Sequence, residues 1–240
     1  AMFNAGQTCV SVERVYVVEA VYDQFVAAVV RDVQNLSTGA GEGHAFGAMI
    51  DQNQVAVTES HVQDALDKGA KALTGGRRPV GSGSFYPPTV LVDVDHSMLC
   101  MTEETFGPTL PIMKVADAAE AVRLANDSPY GLSASVFSGD AVRAEAIALQ
   151  LDCGAVNIND VISNLMCTTA PMGGWKNSGM GVRFGGAEGL RKFCRQEAVV
   201  MPRTNVGAGG NYYNKSLRGL KRMNAMMTKL ALVGPRRAAK

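Results

Sequence analysis

Val10-Ser11-Val12-Glu13-Arg14-Val15-Tyr16-Val17-Val18, running on into Ala20-Val21-Tyr22-Asp23-Gln24-Phe25-Val26-Ala27-Ala28-Val29-Val30-Arg31-Asp32-Val33-Gln34-Asn35-Leu36, is the stretch that decides the fold class. Residues 10–18 are rich in β-branched side chains and read as a strand. In residues 20–36, Val21, Phe25, Val29 and Val33 recur every fourth position, which lays an apolar stripe along a helix. Strand followed by helix is the opening of an α/β domain, and the alternation continues outward. Gly39, Gly41 and Gly43 break the chain before a second helical stretch at residues 52–68, and residues 72–74 read as a short strand stopped by Gly75-Gly76. Pro87-Pro88 introduces an apolar strand at 89–94. A strand at 110–115, a helix at 117–126, a strand at 132–137, a helix at 140–151 and a strand at 155–158 follow. Strands separated by helices predict a mostly parallel sheet with helices on its faces, a three-layer αβα domain. There is no internal repeat.

The totals fit that architecture. With 240 residues and 47% hydrophobic content, the chain can bury one large core, with or without an appendage. Cys9, Cys100, Cys153, Cys167 and Cys194 are odd in number and widely spaced, with no C-x-x-C pair and no histidines nearby to complete a zinc site. That usage points to a reducing, cytoplasmic setting and to no metal. No leader pattern opens the chain, and no apolar run approaches the roughly 20 residues a membrane-spanning helix needs. A soluble protein is expected.

The net charge of +1 conceals an asymmetry: residues 204–240 hold eight Lys or Arg and no acid, leaving 15 basic against 22 acidic side chains before them. The acidic body is not a nucleic-acid surface. The composition changes near Arg203, where a boundary is expected between a domain at 1–203 and a basic tail at 204–240. Gly207-Ala208-Gly209-Gly210 reads as a linker, and residues 214–233 as a basic helix. In that helix Leu217, Leu220, Met223, Met227 and Leu230 share one face, with Arg218, Arg222 and Lys229 on another. Packing on the subunit or a neighbour is the expected use of that face, ahead of contact with an anionic membrane.

Two segments carry chemistry. A lone cysteine is more often a small core hydrophobe than a catalyst, but Cys9 closes the run Phe3-Asn4-Ala5-Gly6-Gln7-Thr8-Cys9. Glu103-Glu104-Thr105-Phe106-Gly107-Pro108, taken alone, reads as a solvated turn. Together, Asn-x-Gly-Gln-x-Cys and Glu-Glu-x-Phe-Gly-Pro at this separation resemble the aldehyde dehydrogenase superfamily, of which the chain is identified as the C-terminal catalytic half. Further stretches match in order: residues 86–90 (Tyr-Pro-Pro-Thr-Val), 124–134, 154–159 (Gly-Ala-Val-Asn-Ile-Asn) and 171–179 (Pro-Met-Gly-Gly-Trp-Lys-Asn-Ser-Gly). The resemblance covers about residues 3–203.

The resemblance implies that Cys9 is the nucleophile, that Glu104 hydrogen-bonds the ribose attached to nicotinamide, and that Phe106 packs near the nicotinamide ring. It implies NAD or NADP as cofactor, a small aldehyde as substrate, and a thioester carried on Cys9. Phe3, Thr8, Val10 and Ser163 are implied as substrate-lining. The family's general-base glutamate, oxyanion asparagine and nucleotide-phosphate contacts lie upstream of its nucleophile, so an N-terminal half is an expected partner, and these residues alone are expected neither to hold cofactor tightly nor to turn over. The match is nearest the succinate-semialdehyde dehydrogenase branch, with two departures. Phe3 stands where much of that branch has an arginine for the substrate carboxylate, and residues 160–169, expected at the aldehyde entry, are longer than usual.

By the same resemblance, residues 197–201 form a C-terminal strand, within about 195–202, that joins another subunit, so a homo-oligomer is expected. Against catalysis stands a non-catalytic assembly module that kept the fold. Hydrolase and nucleotide-loop motifs are absent, and His44, His61 and His96 each read as surface or cap residues.

Overall fold

The computed structural model describes residues 1–78, 81, 83–201 and 217–232. The chain divides into two compact units, Ala1–Arg195 and Gln196–Lys240. The first opens with a 3-10 turn at Phe3–Gly6. There follow β1 (Val15–Val18), α1 (Glu19–Gln34), α2 (Gln52–Asp67), β2 (Lys71–Thr74), β3 (Thr89–Val92), α3 (Leu99–Thr102) and β4 (Thr109–Val115). Then come α4 (Ala118–Asn126), β5 (Tyr130–Gly131), β6 (Ser133–Val136), α5 (Ala141–Ala148), β7 (Ala155–Ile158), α6 (Ser163–Met166), β8 (Trp175–Lys176) and α7 (Gly186–Arg191).

The main sheet has the order β1-β4-β3-β2. β4 runs parallel to both β1 and β3, with Val15 opposite Ile112 and Thr89 opposite Thr109, while β2 closes the edge antiparallel. β6 and β7 form a separate parallel pair, and β5 and β8 a short antiparallel one. The fold is therefore α/β with a mostly parallel sheet, as the alternation of elements predicts.

Period-two alternation on the strands produces the three layers. Val17, Val90, Val92 and Ile112 point to one face and pack under Tyr22, Val26, Val29 and Val33 of α1. The intervening Tyr16, Leu91 and Met113 join the opposite core, with Val55, Val62 and Ala65 of α2 and Met101 of α3. Of the stripe expected at Val21, Phe25, Val29 and Val33, only Val29 and Val33 face the sheet; Val21 and Phe25 are exposed, and Tyr22 and Val26 take their places, because the four-residue spacing drifts around a helix of 3.6 residues per turn. Fully burying such side chains stabilises by about 1.5–3 kcal/mol each. Three aspartates start the helices by accepting orphan amides: Asp51 from Gln54, Asp117 from Glu120, and Asp140 from Val142 and Arg143.

Two further expectations are corrected. The strand read over residues 10–18 pairs only from Val15, where β4 offers it a register; Glu13 and Arg14 turn instead to loop contacts described below. The strand expected at 197–201 is one that joins another subunit; within the chain these residues pair with no described residue, and Val199, Val200 and Met201 are at least 84% exposed. His61 is buried on α2, and His96 is half-buried with its Nε2 2.9 Å from the Tyr16 hydroxyl, so only His44 is an exposed surface residue. The short helices α3, α6 and α7 have too few turns to show a period and were not foreseen.

The second unit contains α8 (Leu217–Leu232). The basic helix expected at 214–233 is present over those residues, with Arg218, Leu220, Lys221, Arg222, Met226, Met227 and Lys229 exposed. Its expected ends, the boundary near Arg203 and the Gly207-Gly210 linker lie outside the described residues. Among the described residues no helix is long and apolar enough to cross a membrane.

Candidate active site

The loop that carries Cys9 is held by unusual backbone angles. Asn4 and Ala5 lie in the left-handed region at φ 52° and 56°, and Gly6 follows at φ 74°. Asn4 compensates locally: its Nδ2 donates to Gln7 O and its carbonyl accepts from Gln7 Nε2, both at 3.1 Å. Gln7 Oε1 then accepts from the Ile50 amide at 2.8 Å, tying the loop to the lead-in of α2. Gly6 is required sterically as well, because a Cβ there would sit 2.0 Å from the Gly107 carbonyl oxygen. Cys9 follows on an exposed turn, with the Ser11 amide donating to Thr8 O at 2.8 Å.

That Gly6–Gly107 contact brings the two sequence segments together. Gly107 in turn rests on α2, where an added Cβ would lie 2.2 Å from Thr58 Oγ1. The preceding peptides are gripped from three sides. Glu13 accepts the Thr105 amide on Oε2 and the Phe106 amide on Oε1, both at 3.1 Å, and Gln54 Nε2 donates to Thr105 O at 2.8 Å. His61 Nδ1 lies 3.1 Å from Thr105 Oγ1, and Thr105 is fully buried. Burial pushes the Glu13 carboxyl above its usual range, with the Phe106 and Thr105 amides opposing the shift and Glu104 adding to it. A hydrogen bond is worth about 0.5–1.5 kcal/mol even between neutral groups, and the Glu13 and Gln54 bonds together hold the peptides where Phe106 sits at φ 49°. Arg14 secures the other side, donating to Met101 O at 3.0 Å and to Ser128 Oγ at 2.8 Å.

The clamp leaves Glu104 exposed, in no ion pair with a described residue, beside a half-buried Phe106. An exposed carboxylate suits the two donors of a ribose diol, and a half-buried ring suits the flat face of a nicotinamide. These residues therefore fit the nicotinamide end of NAD or NADP.

Phe3, Thr8 and Val10 line one small pocket of about 80 Å³ with Val161 and Ile162. Ser163 is not in it. It begins α6, its amide donating to Asp160 Oδ1 at 2.6 Å, and lines a separate cavity of about 340 Å³ with Asn157, Asn164, Cys167 and Pro171. The other cysteines differ sharply: burial pushes the Cys100 thiol up to about 12 and raises Cys153, whereas Cys167 is exposed and lowered, first by the Thr169 hydroxyl and then by the Ala170 and Thr169 amides. No group of residues suited to a metal ion occurs among the described residues.

Sequence reading missed Glu13, Gln54, His61 and Arg183, whose Nη1 reaches within 3.9 Å of Cys9 Sγ. Only Glu13-Arg14 had a signal, two charges interrupting an apolar run. The others arrive from distant elements.

His61 makes a pH test of the clamp. Burial lowers its pKa from 6.5, with Glu103 and Asp64 partly opposing, so the folded protein favours neutral imidazole. Between the depressed folded value and about 6.5 the unfolded chain binds more protons, and stability therefore falls as pH drops below about 6.5. Glu13 contributes with the opposite sign, since its raised carboxyl favours the folded state on acidification. His61→Gln leaves Glu13 in place and is expected to reduce the loss of urea midpoint between about pH 6.5 and 5. Equal losses in both proteins would remove His61 from the account.

The profile of the Aldehyde dehydrogenase family matches residues 1–199. A 4,4'-diapolycopene aldehyde oxidase of Methylomonas is 40% identical over 95% of this chain, which spans 42% of that relative's length. The crystal structure of a succinate-semialdehyde dehydrogenase from Burkholderia pseudomallei superposes with a TM-score of 0.74 at 40% identity, over 79% of this chain and 39% of that one. A variant of the Staphylococcus aureus betaine aldehyde dehydrogenase, solved with NAD+ and a BME-modified cysteine, gives a TM-score of 0.74 at 36% identity over 80% of this chain and 40% of that one. The chain belongs to the aldehyde dehydrogenase family.

Proposed function

We propose that these residues are the nucleophile-bearing part of an enzyme that oxidises an aldehyde to a carboxylic acid with NAD or NADP. The observation that carries the proposal is the backbone contact of Gly6 with Gly107, which fixes the Cys9 loop against the segment bearing Glu104 and Phe106. The Cys9 thiolate adds to the aldehyde carbon to give a hemithioacetal, whose oxygen takes up the negative charge. Loss of hydride from that carbon leaves a thioester on Cys9, and water releases the acid and regenerates the thiol. When bound, NAD or NADP accepts the hydride. Glu104 holds the ribose and Phe106 the nicotinamide face, and the Glu13 clamp keeps both in position. The water-activating base and most of the nucleotide site come from residues outside these 240. The solved succinate-semialdehyde dehydrogenase relative supports a semialdehyde as substrate, the five free thiols support a cytoplasmic setting, and the exposed Val199, Val200 and Met201 support assembly into an oligomer.

In the complete enzyme, Cys9→Ala is expected to abolish aldehyde-dependent cofactor reduction, while Glu104→Ala raises the KM for cofactor more than for aldehyde. Turnover that survives Cys9→Ala would refute the proposal, whereas a complete, folded protein that reduces no cofactor with any aldehyde would favour a scaffold without catalysis.

A further inference from the structure

Arg183 has no role in that scheme, yet it is the cation placed at the nucleophile. Its Nη1 lies 3.9 Å from Cys9 Sγ, and its guanidinium forms no ion pair with any described residue. It also stacks toward the Phe184 ring, whose centre lies 5.8 Å from its Cζ. It is not a free surface arm, because its backbone is pinned. The Arg183 amide donates to Met172 O at 2.7 Å, the Met172 amide donates to Phe184 O at 2.8 Å, and Met172 is fully buried. Among the described residues no carboxylate pairs with Arg183, and the pocket adjoining the Cys9 loop is walled by Phe3, Val10, Val161 and Ile162. A guanidinium presents a planar fork of donors that matches a carboxylate.

We propose that Arg183 is the specificity-determining residue of the aldehyde site, its guanidinium receiving the carboxylate of a semialdehyde while Cys9 attacks the carbonyl carbon. The inference rests on Cys9 being the nucleophile. The short distance from sulfur to guanidinium places the anion a few bonds from the attacked carbon, which selects a short-chain acid over a long one.

The test uses the chain itself and needs neither cofactor nor turnover. Iodoacetate and iodoacetamide both transfer a two-carbon group to sulfur with loss of iodide, and only the former carries a carboxylate. Because Cys167 and Cys194 are also exposed, each rate is read at the Cys9 peptide by mass spectrometry. The iodoacetate-to-iodoacetamide ratio at Cys9 is expected to exceed that of a neutral cysteine peptide by about tenfold, the worth of one charge-assisted contact. Arg183→Gln should remove the excess and Arg183→Lys keep part of it. A ratio equal to the peptide's, or an excess that survives Arg183→Gln, would overturn the assignment. Equal slowing by both reagents would also overturn it, since Arg183 would then act only on the thiol. If Arg183→Gln does not fold, the excess in the unaltered protein must fall with added salt, and a salt-independent excess counts against the proposal. Failure of Cys9 to react with either reagent would sink the functional reading itself, whereas normal iodoacetamide labelling without iodoacetate preference sinks only Arg183.

Discussion

Expressed by themselves, these 240 residues are expected to be alkylated at Cys9 and yet to leave NAD and NADP unreduced with every aldehyde offered. The proposed nucleophile and the proposed nicotinamide contacts Glu104 and Phe106 are in hand, their segments brought together through Gly6 and Gly107. The chain nevertheless spans only 42% of its diapolycopene aldehyde oxidase relative, and by the family resemblance the general base and the phosphate contacts belong to the other part. Positioning of reactants is worth about 7–11 kcal/mol, and general-base assistance adds roughly a hundred- to ten-thousand-fold. Losing both leaves the rate near background. Cofactor affinity is expected to be low too, because in the proposed scheme Glu104 and Phe106 meet only one end of the dinucleotide. The measurement is steady-state cofactor reduction by the chain, by its Cys9→Ala variant, and by a mixture with a separately expressed N-terminal half. Recovery on mixing supports the assignment; robust Cys9-dependent reduction by the chain alone would show that the base lies within these residues after all.

Gly6→Ala is expected to be the most damaging single-methyl change in the site. Two costs add there. A non-glycine residue at φ 74° pays about 1–2 kcal/mol for left-handed backbone, and the new Cβ would lie 2.0 Å from the Gly107 carbonyl oxygen and 3.0 Å from that of Ala1. The obstacles are backbone atoms, which move only by displacing the Cys9 loop from the clamped Thr105–Phe106 peptides. A loss of about 3 kcal/mol or more is expected, in the range of overpacking combined with backbone strain. The control is Gly139→Ala, at an exposed glycine whose added Cβ would meet nothing within 4 Å, and it should change stability by less than about 0.5 kcal/mol. Urea unfolding midpoints decide the matter. If Gly6→Ala matches Gly139→Ala, the contact between the two segments is not made as described.

The site was legible in the sequence to very different depths. The loop ending at Cys9 and the Glu104–Phe106 segment stood out through their resemblance to the aldehyde dehydrogenase family; taken alone, each read as an ordinary cysteine or a solvated turn. Glu13 was quoted in the strand reading and its role was not seen, because a carboxylate that accepts two amides about ninety positions away leaves no periodic trace. Ser163 lines a cavity other than the one lined by Phe3, Thr8 and Val10, a separation that no spacing along the chain reveals. The strand expected at 197–201 has the composition of a strand, and the edge it is expected to join belongs to another subunit, which no pattern within the chain locates.

By itself, the sequence determined the α/β class and the order of the main strands and helices, and its resemblance to a family singled out the two segments that carry chemistry. The class and order follow from interactions between residues a few positions apart: side-chain periodicity and the backbone freedom of glycine. Only the tertiary structure decided that β4 lies between β1 and β3, that Gly6 rests on Gly107, that Glu13, Gln54 and His61 converge on one peptide, and that Arg183 reaches Cys9 from 174 positions away. Each of those depends on which surfaces meet once the core has closed, and burial selects such partners by shape and unsatisfied hydrogen bonds, neither of which has a fixed spacing along a chain.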